Sequence, residues 1–170
     1  MQTLLERMTW PEAKAALERG VAVVIPVGST EQHGHHLPLS TDTINVYALA
    51  RLAAERSGQA VVTPPVAFGT AHNHMHFPGT ITLQLDTLKA LLVDVAASLI
   101  HHGFHRLLLL NGHGGNISAV GAAAEQIREA FPQCRLGVIG DACLATRAKG
   151  EAVVTEAVAT LCAVLAELAA

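Results

Sequence analysis

The chain has 170 residues, of which 51% are hydrophobic and 15% are charged, a composition that excludes an intrinsically disordered protein. A net charge of −3 at pH 7 and a pI near 6.3 give no electrostatic basis for binding nucleic acid or an anionic membrane, so we expect neither as a partner. The length suits a single domain, which we expect over residues 1–170.

Apolar runs of strand length alternate with longer segments of helical period along the chain. A first helix is predicted in "TWPEAKAALERG", with Thr9 as its cap and Gly20 as its stop. Another is predicted from Asp86 to a stop at Gly103, with one apolar stripe along it. The remaining helices are predicted over residues 43–55, 117–130 and 150–168, and the strands over residues 21–27, 60–63, 107–110 and 135–139.

This alternation predicts the fold class. The strands are continuously apolar, which is typical of parallel strands covered on both faces. We therefore expect an α/β protein, a three-layer α/β/α sandwich with a mostly parallel central sheet. Such sheets bind ligands at the carboxyl ends of their strands. Two segments rich in polar side chains follow strands there, "GSTEQHGHHLPLSTD" and "NGHGGN".

Targeting and redox features predict a cytoplasmic protein. The N-terminal stretch shows no apolar core with a cleavage signal, so no secretory signal is expected. The most apolar stretch, residues 152–170, is interrupted by Glu156 and Glu167 and predicts a core-packed helix instead of a membrane span. The cysteines fit reduced thiols better than a disulfide framework; they are Cys134, Cys143 and Cys162.

The first polar segment contains a candidate metal site. Glu31, His33 and Asp42 offer two carboxylates and one imidazole, a mixture that suits zinc, manganese or iron. Glu31 and His33 are two residues apart and so project to the same side of an extended chain. Two alternatives stay open on these residues alone. Asp42 could cap the helix that follows, and His33, His35 and His36 could be solvated loop residues.

The second polar segment adds a candidate ligand. The glycines of "LLLLNGHGGN" allow a sharp turn after a buried strand and display His113 at the sheet edge. The alternative is an anion site at a helix N-terminus, but the segment lacks the ending of a P-loop and has Ile117 where GxGxxG requires glycine. A fourth ligand beside the Glu/His/Asp loop explains His113 better.

A third segment, "FGTAHNHMHFPGTITL", carries alternating histidines at 72, 74 and 76. They could bind metal themselves, but we favour a loop over the site from which one histidine contacts substrate or catalytic water. Three further histidines lie at the end of a predicted helix and are interpreted as structural or surface residues: His101, His102 and His105.

Together these segments resemble the creatininase family of metal-dependent amidohydrolases. The resemblance depends on "PVGSTEQHGHHLPLSTDT", "HNHMHFPGTITL" and "HGFHRLLLLNGHGGN", which occur in family order and spacing. It implies a three-layer α/β sandwich, cleavage of an amide, formamide or cyclic amide C–N bond by metal-activated water, and a small-molecule or short-peptide amide substrate. It also implies a homo-oligomer, often a hexamer.

The resemblance also implies roles for individual residues. Glu31, Asp42 and His113 match the ligands of one divalent metal, and Asp42 bridges to a second metal that His33 also binds. The metal would be zinc, with manganese or iron as alternatives, at one or two ions per chain. His74 matches the family histidine three residues before "FPGT" and is expected to contact substrate or transfer a proton.

The sequence departs from the family after residue 139. The segment that family members carry there, expected between about residues 141 and 148, is lacking, and with it a ligand of the second metal. Gly115 stands where creatininase proper has a glutamate ligand. Asp141 could replace the lost carboxylate, or a single metal could suffice. The alternative to an active amidohydrolase is a catalytically impaired metal-binding or assembly subunit. An anion- or nucleotide-binding domain ranks below both.

Overall fold

A computed structural model describes residues 2–140 and 147–169 of the chain. Within these residues four strands form one parallel sheet in the order β2-β1-β3-β4: β1 (Ala22–Val27), β2 (Ala60–Val62), β3 (Arg106–Asn111) and β4 (Arg135–Ile139). Five α-helices connect or flank them: α1 (Trp10–Glu18), α2 (Thr41–Ser57), α3 (Leu85–His101), α4 (Ile117–Ala130) and α5 (Arg147–Ala169).

The two faces of the sheet pack against different helices. Side chains alternate along a strand, so Val23 and Ile25 of β1 enter one core with α1, α3 and α4, whereas Ala22 and Val24 enter another with α2 and α5. All of these side chains are buried because both faces are covered. The three-layer α/β/α architecture expected from the continuously apolar strands is confirmed.

The helices begin and end within a few residues of their predicted positions. The Glu12 carboxylate accepts a 2.7 Å hydrogen bond from the backbone N–H of Thr9, which fixes the start of α1. Gly103 follows α3 with φ +102°, a conformation that ends the helix at low cost only for glycine. The apolar C-terminal stretch packs on the sheet, as predicted, through Val158, Leu161 and Leu165 of α5.

The register of the sheet brings the two polar segments together. Val27, the last residue of β1, pairs with Asn111, the last residue of β3. The chain leaves both strands at this edge, and the Gly112 N–H donates a 2.8 Å hydrogen bond to the Val27 carbonyl. The loops after residues 27 and 111 are therefore neighbours, as expected for adjacent parallel strands.

No helix among the described residues is both long and apolar enough to cross a membrane. Cys134 and Cys162 are free thiols, the first buried and the second half-buried. Two residues named above, Cys143 and Asp141, lie outside the described residues.

Candidate metal centre

Three side chains from three elements converge at the carboxyl edge of the sheet. Glu31 lies in the loop after β1, Asp42 in the first turn of α2, and His113 directly after β3. All three are buried, and one donor atom from each lies within 4.8 Å of the other two. Two buried carboxylates and one imidazole are a hard-oxygen and nitrogen donor set that suits a divalent ion.

Short distances define the centre. His113 Nδ1 lies 3.0 Å from Asp42 Oδ2 and 3.4 Å from Glu31 Oε1. The other Glu31 oxygen, Oε2, is buried, and no group of the described residues hydrogen-bonds to it. A buried carboxylate oxygen without a donor is costly, and a cation in front of it removes that cost. The residues present thus fit a divalent ion.

The ring of His113 is held in one orientation. Its Nε2–H donates to the Thr70 carbonyl at 3.1 Å, because a carbonyl can only accept, and this turns Nδ1 towards the two carboxylates. The Asn111 side chain holds the same loop, since its amide donates to the His113 carbonyl and its oxygen accepts from the His113 N–H. A backbone carbonyl behind the ligating histidine is a common arrangement at protein metal sites.

The same surroundings shift the pKa of His113. Burial alone lowers this pKa, but the hydrogen bond to Asp42, the charge of Glu31 and the bond to Thr70 together outweigh burial, so the pKa is raised above its usual value. The two carboxylates therefore attract positive charge at this position, whether it is a proton or a metal ion.

The alternative interpretations from the sequence are less consistent with this geometry. The Asp42 oxygens face His33 and His113 instead of capping α2, although the helix dipole also favours a carboxylate there. In the glycine loop, the N–H groups of Gly112, His113 and Asn116 already bond within the protein, which leaves fewer donors for an anion.

His33 and His74 lie beside the centre without joining the three-residue cluster. His33 contacts the outer Asp42 oxygen, with Nε2 3.1 Å from Oδ1, while its Nδ1–H donates to the Glu31 carbonyl at 3.2 Å. His74 lies on a single 3-10 turn, His72–His74, with Nε2 3.8 Å from Glu31 Oε2. The other histidines named from the sequence are exposed: His35, His36, His72, His76, His101, His102 and His105.

A cavity of about 320 Å³ opens next to the centre. His113 and Gly115 form part of its wall, and His74 and Leu85 form another part. Of the three clustered residues, His113 is the one that lines this cavity, so a small molecule in it would lie beside that ligand.

Asn116 is a site residue that the sequence reasoning missed. Its buried amide donates to the Gly28 carbonyl at 2.9 Å, and its oxygen accepts from the Thr70 N–H at 2.9 Å. It therefore ties the loop after β1 and the segment behind His113 to the glycine loop. One feature of the sequence could have identified Asn116. It is a polar residue at the end of "NGHGGN", where a helix otherwise rich in apolar residues begins.

Comparisons with known proteins show the family to which the chain is similar. The family model Creatininase, described as creatinine amidohydrolase, matches residues 6–136. The mycofactocin precursor peptide peptidase of Mycolicibacterium smegmatis is 45% identical over 111 residues, 62% of this chain and 44% of the relative. The creatinine amidohydrolase of Pseudomonas putida is 35% identical over 133 residues, 72% of this chain and 51% of the relative.

Solved structures show the same fold. A structure described as "Creatininase Mn" superposes with a TM-score of 0.72 at 30% identity, and a creatininase variant of the "Zn-Zn type" with 0.73 at 30% identity. Each match covers 82% of this chain and 58% of the other. The chain thus spans about half the length of the curated relatives that it matches.

Proposed function

Because this chain belongs to the creatininase family, as the match over residues 6–136 shows, we propose that it is a metal-dependent amidohydrolase. Its relatives support a hydrolase that acts on C–N bonds. The observation that carries the proposal is the buried cluster of Glu31, Asp42 and His113, in which one buried carboxylate oxygen, Glu31 Oε2, has no hydrogen-bond partner among the described residues. Three protein ligands with an open position are typical of catalytic zinc sites.

We propose that one divalent ion, zinc with manganese or iron as alternatives, binds at these three residues. For a second ion, His33 and Asp42 would be the only two ligands, because among the described residues no further group of three candidate ligands includes His33. Gly115 offers no ligand, and a side chain there would meet the Thr70 carbonyl, since a Cβ would lie 2.1 Å from that oxygen. The site therefore favours one tightly bound ion.

A divalent ion held by Glu31, Asp42 and His113 would supply Lewis-acid chemistry, since it would polarise an amide carbonyl and lower the pKa of a water molecule. Glu31, Asp42 and His113 hold the ion in a buried setting where its charge is weakly screened. Hydrolysis joins the water oxygen to the carbonyl carbon, breaks the C–N bond and transfers a proton from the water to the leaving nitrogen. His74 lines the cavity beside His113 and is our candidate to hold the substrate or to deliver that proton.

We propose a small-molecule or short-peptide amide as the substrate. Peptides are the first class of substrate to test. The peptide peptidase of Mycolicibacterium smegmatis is 45% identical to this chain in the matched region, whereas the creatinine amidohydrolase of Pseudomonas putida is 35% identical. The open cavity has room for either class. We also propose that the chain is a single domain that lacks the family's segment between about residues 141 and 148.

Metal analysis of the purified protein tests the proposal. We expect about one divalent ion per chain in the wild type, as a three-ligand site predicts, and its loss in His113→Ala and Glu31→Gln. The control is His105→Ala, which removes an exposed histidine and leaves the metal content unchanged. Wild-type protein that binds no divalent ion would contradict the proposed site.

A hydrolase screen with added zinc or manganese then tests the activity. The substrates are a short peptide, a formamide and creatinine, and release of the amine product is measured. We expect turnover that a chelator abolishes and added metal restores. Stoichiometric metal without turnover on any substrate class would favour the catalytically impaired metal-binding subunit, an alternative suggested by the family segment expected to be lacking after residue 139 and by Gly115.

A further inference from the structure

The side chain of Gln32 links the loop after β1 to the histidine turn at the cavity. Its Nε2 lies 3.1 Å from His74 Nδ1 and its Oε1 lies 3.0 Å from the backbone nitrogen of Gly34. Gln32 stands between Glu31 and His33 in the chain, and its side chain contacts His74. No step of the proposed reaction depends on this contact.

The Gly34 contact settles which end of the Gln32 amide faces His74. A backbone N–H can only donate, so the group in front of Gly34 must be the amide oxygen. The amide nitrogen is left in front of His74, and it carries only N–H donors. His74 Nδ1 must therefore accept the bond, which places the proton of a neutral imidazole on Nε2.

We propose that Gln32 is a positioning residue that holds His74 in the Nε2–H form and turns this N–H towards the substrate. The inference rests on the proposed function and deepens it. His74 then acts as a donor, either to the substrate carbonyl oxygen or to the leaving nitrogen, and not as a base through Nε2. In the opposite tautomer, the Nδ1–H of His74 and the N–H of the Gln32 amide would face each other, and two donors cannot form a hydrogen bond.

The surroundings of His74 agree with a donor at Nε2. This atom lies 3.8 Å from Glu31 Oε2, the carboxylate oxygen that no described group hydrogen-bonds. The backbone of the turn is fixed separately, since the His74 N–H donates to the Ala71 carbonyl and the Phe77 N–H donates to the His74 carbonyl. Gln32 thus controls the ring without being needed to form the turn.

NMR of protein labelled with ¹⁵N-histidine tests the tautomer directly. Long-range proton–nitrogen correlations distinguish a protonated from an unprotonated ring nitrogen, and the His74 signals are assigned from their loss in His74→Gln. The metal-free and the zinc-loaded protein are both measured at a pH where the ring is neutral. We expect a proton on Nε2 in the wild type; a proton on Nδ1 would overturn the proposal.

Two variants test whether Gln32 is responsible. Gln32→Glu replaces the donor with an acceptor, so we expect a proton to appear on His74 Nδ1. Gln32→Met keeps the length of the side chain without either polar group, so we expect a mixture of His74 tautomers. This variant also tests the proposal if Gln32→Glu fails to fold. Gln133→Glu, the same change at an exposed glutamine, should leave the His74 signals unchanged. A His74 tautomer unaltered in both Gln32 variants would overturn the proposal.

Kinetics separate this inference from the proposed function. Once a substrate is identified, we expect kcat of Gln32→Met to fall on the order of tenfold, as for other partners that orient a site residue. The metal content should be unchanged. An unchanged kcat would overturn the positioning role. If the wild type turns over no substrate, the proposed function fails, and the tautomer measurement still decides whether Gln32 orients His74.

Discussion

Gly115 shows how closely the backbone packs behind the candidate ligand His113. A Cβ built at residue 115 would lie 2.1 Å from the Thr70 carbonyl oxygen and 2.5 Å from His113 Nε2. These two atoms form the hydrogen bond that orients the His113 ring. Any side chain at this position must therefore displace the bond that turns Nδ1 towards the carboxylates.

We expect Gly115→Ala to weaken metal binding by about 10- to 100-fold, the range for loss of a partner that orients a ligand. Crowding of the backbone should also lower the free energy of unfolding by about 1–3 kcal/mol. Calorimetric metal titration and denaturant unfolding measure the two effects. Gly114→Ala is the matched control, because a Cβ there has no neighbour within 4 Å. Equal effects of the two substitutions would contradict the argument.

The raised pKa of His113 predicts how pH affects the metal-free protein. Because the carboxylates raise this pKa, protonation of His113 stabilises the folded state. This contribution to the free energy of unfolding is fully present below the unfolded-state pKa of about 6.5. It is lost as the pH rises through the higher pKa that His113 has in the folded state.

Thermal unfolding of chelator-treated protein checks this sign. We expect the Tm advantage of the wild type over His113→Gln to be largest at low pH and to shrink as the pH rises through the folded-state pKa. Metal affinity should change in the opposite direction, since a proton and an ion compete for Nδ1. His105→Gln is the control at an exposed histidine. A wild-type advantage that grows with pH would contradict the argument.

At the level of elements, the sequence predicted most of the fold because the signals are local. The predicted strand over residues 21–27 appears as Ala22–Val27, and the predicted helix over residues 150–168 appears as Arg147–Ala169. Apolar runs, a threonine at a helix start and a helix-ending glycine act over a few residues each. The approach of Glu31, Asp42 and His113 followed from strands that end at one edge of a parallel sheet.

The partners of the candidate ligands could not be predicted in this way. Asn116 bonds to Gly28 and to Thr70, which are 88 and 46 residues away in sequence. Gln32 meets His74 across 42 residues. Nothing in the local pattern specifies such pairs, because they depend on how loops from three elements pack once the sheet has formed.

Helix α5 supplies a test of the element packing. Its buried residues Val158, Leu161 and Leu165 recur at helical spacing and cover the face of the sheet shared with α2. We expect Leu165→Ala to lower the free energy of unfolding by about 2–5 kcal/mol, the range for emptying a buried leucine site. Val154→Ala, at an exposed aliphatic residue of the same helix, should cost far less. Denaturant unfolding measures both, and a small effect of Leu165→Ala would contradict the packing.

On the scale of the whole molecule, apolar side chains are concentrated on the loop that borders the cavity. Between β2 and α3, four large apolar residues are 41% to 52% exposed: Phe68, Met75, Phe77 and Ile81. Monomeric proteins seldom expose many large apolar side chains in one region, and such regions often mark interfaces. These exposed side chains are the structural basis for expecting the homo-oligomer that the family resemblance implies.

We expect the protein to self-associate in solution through this loop, since association removes these side chains from water. Light scattering after size exclusion should show a mass above that of one chain, with a hexamer the state implied by the family. Met75→Ser combined with Phe77→Ser should shift the distribution to smaller species. Trp10→Ser removes a side chain that is 79% exposed outside the loop and should leave the mass unchanged. A wild type that is monomeric over a wide concentration range would show that the exposed loop serves something other than self-association.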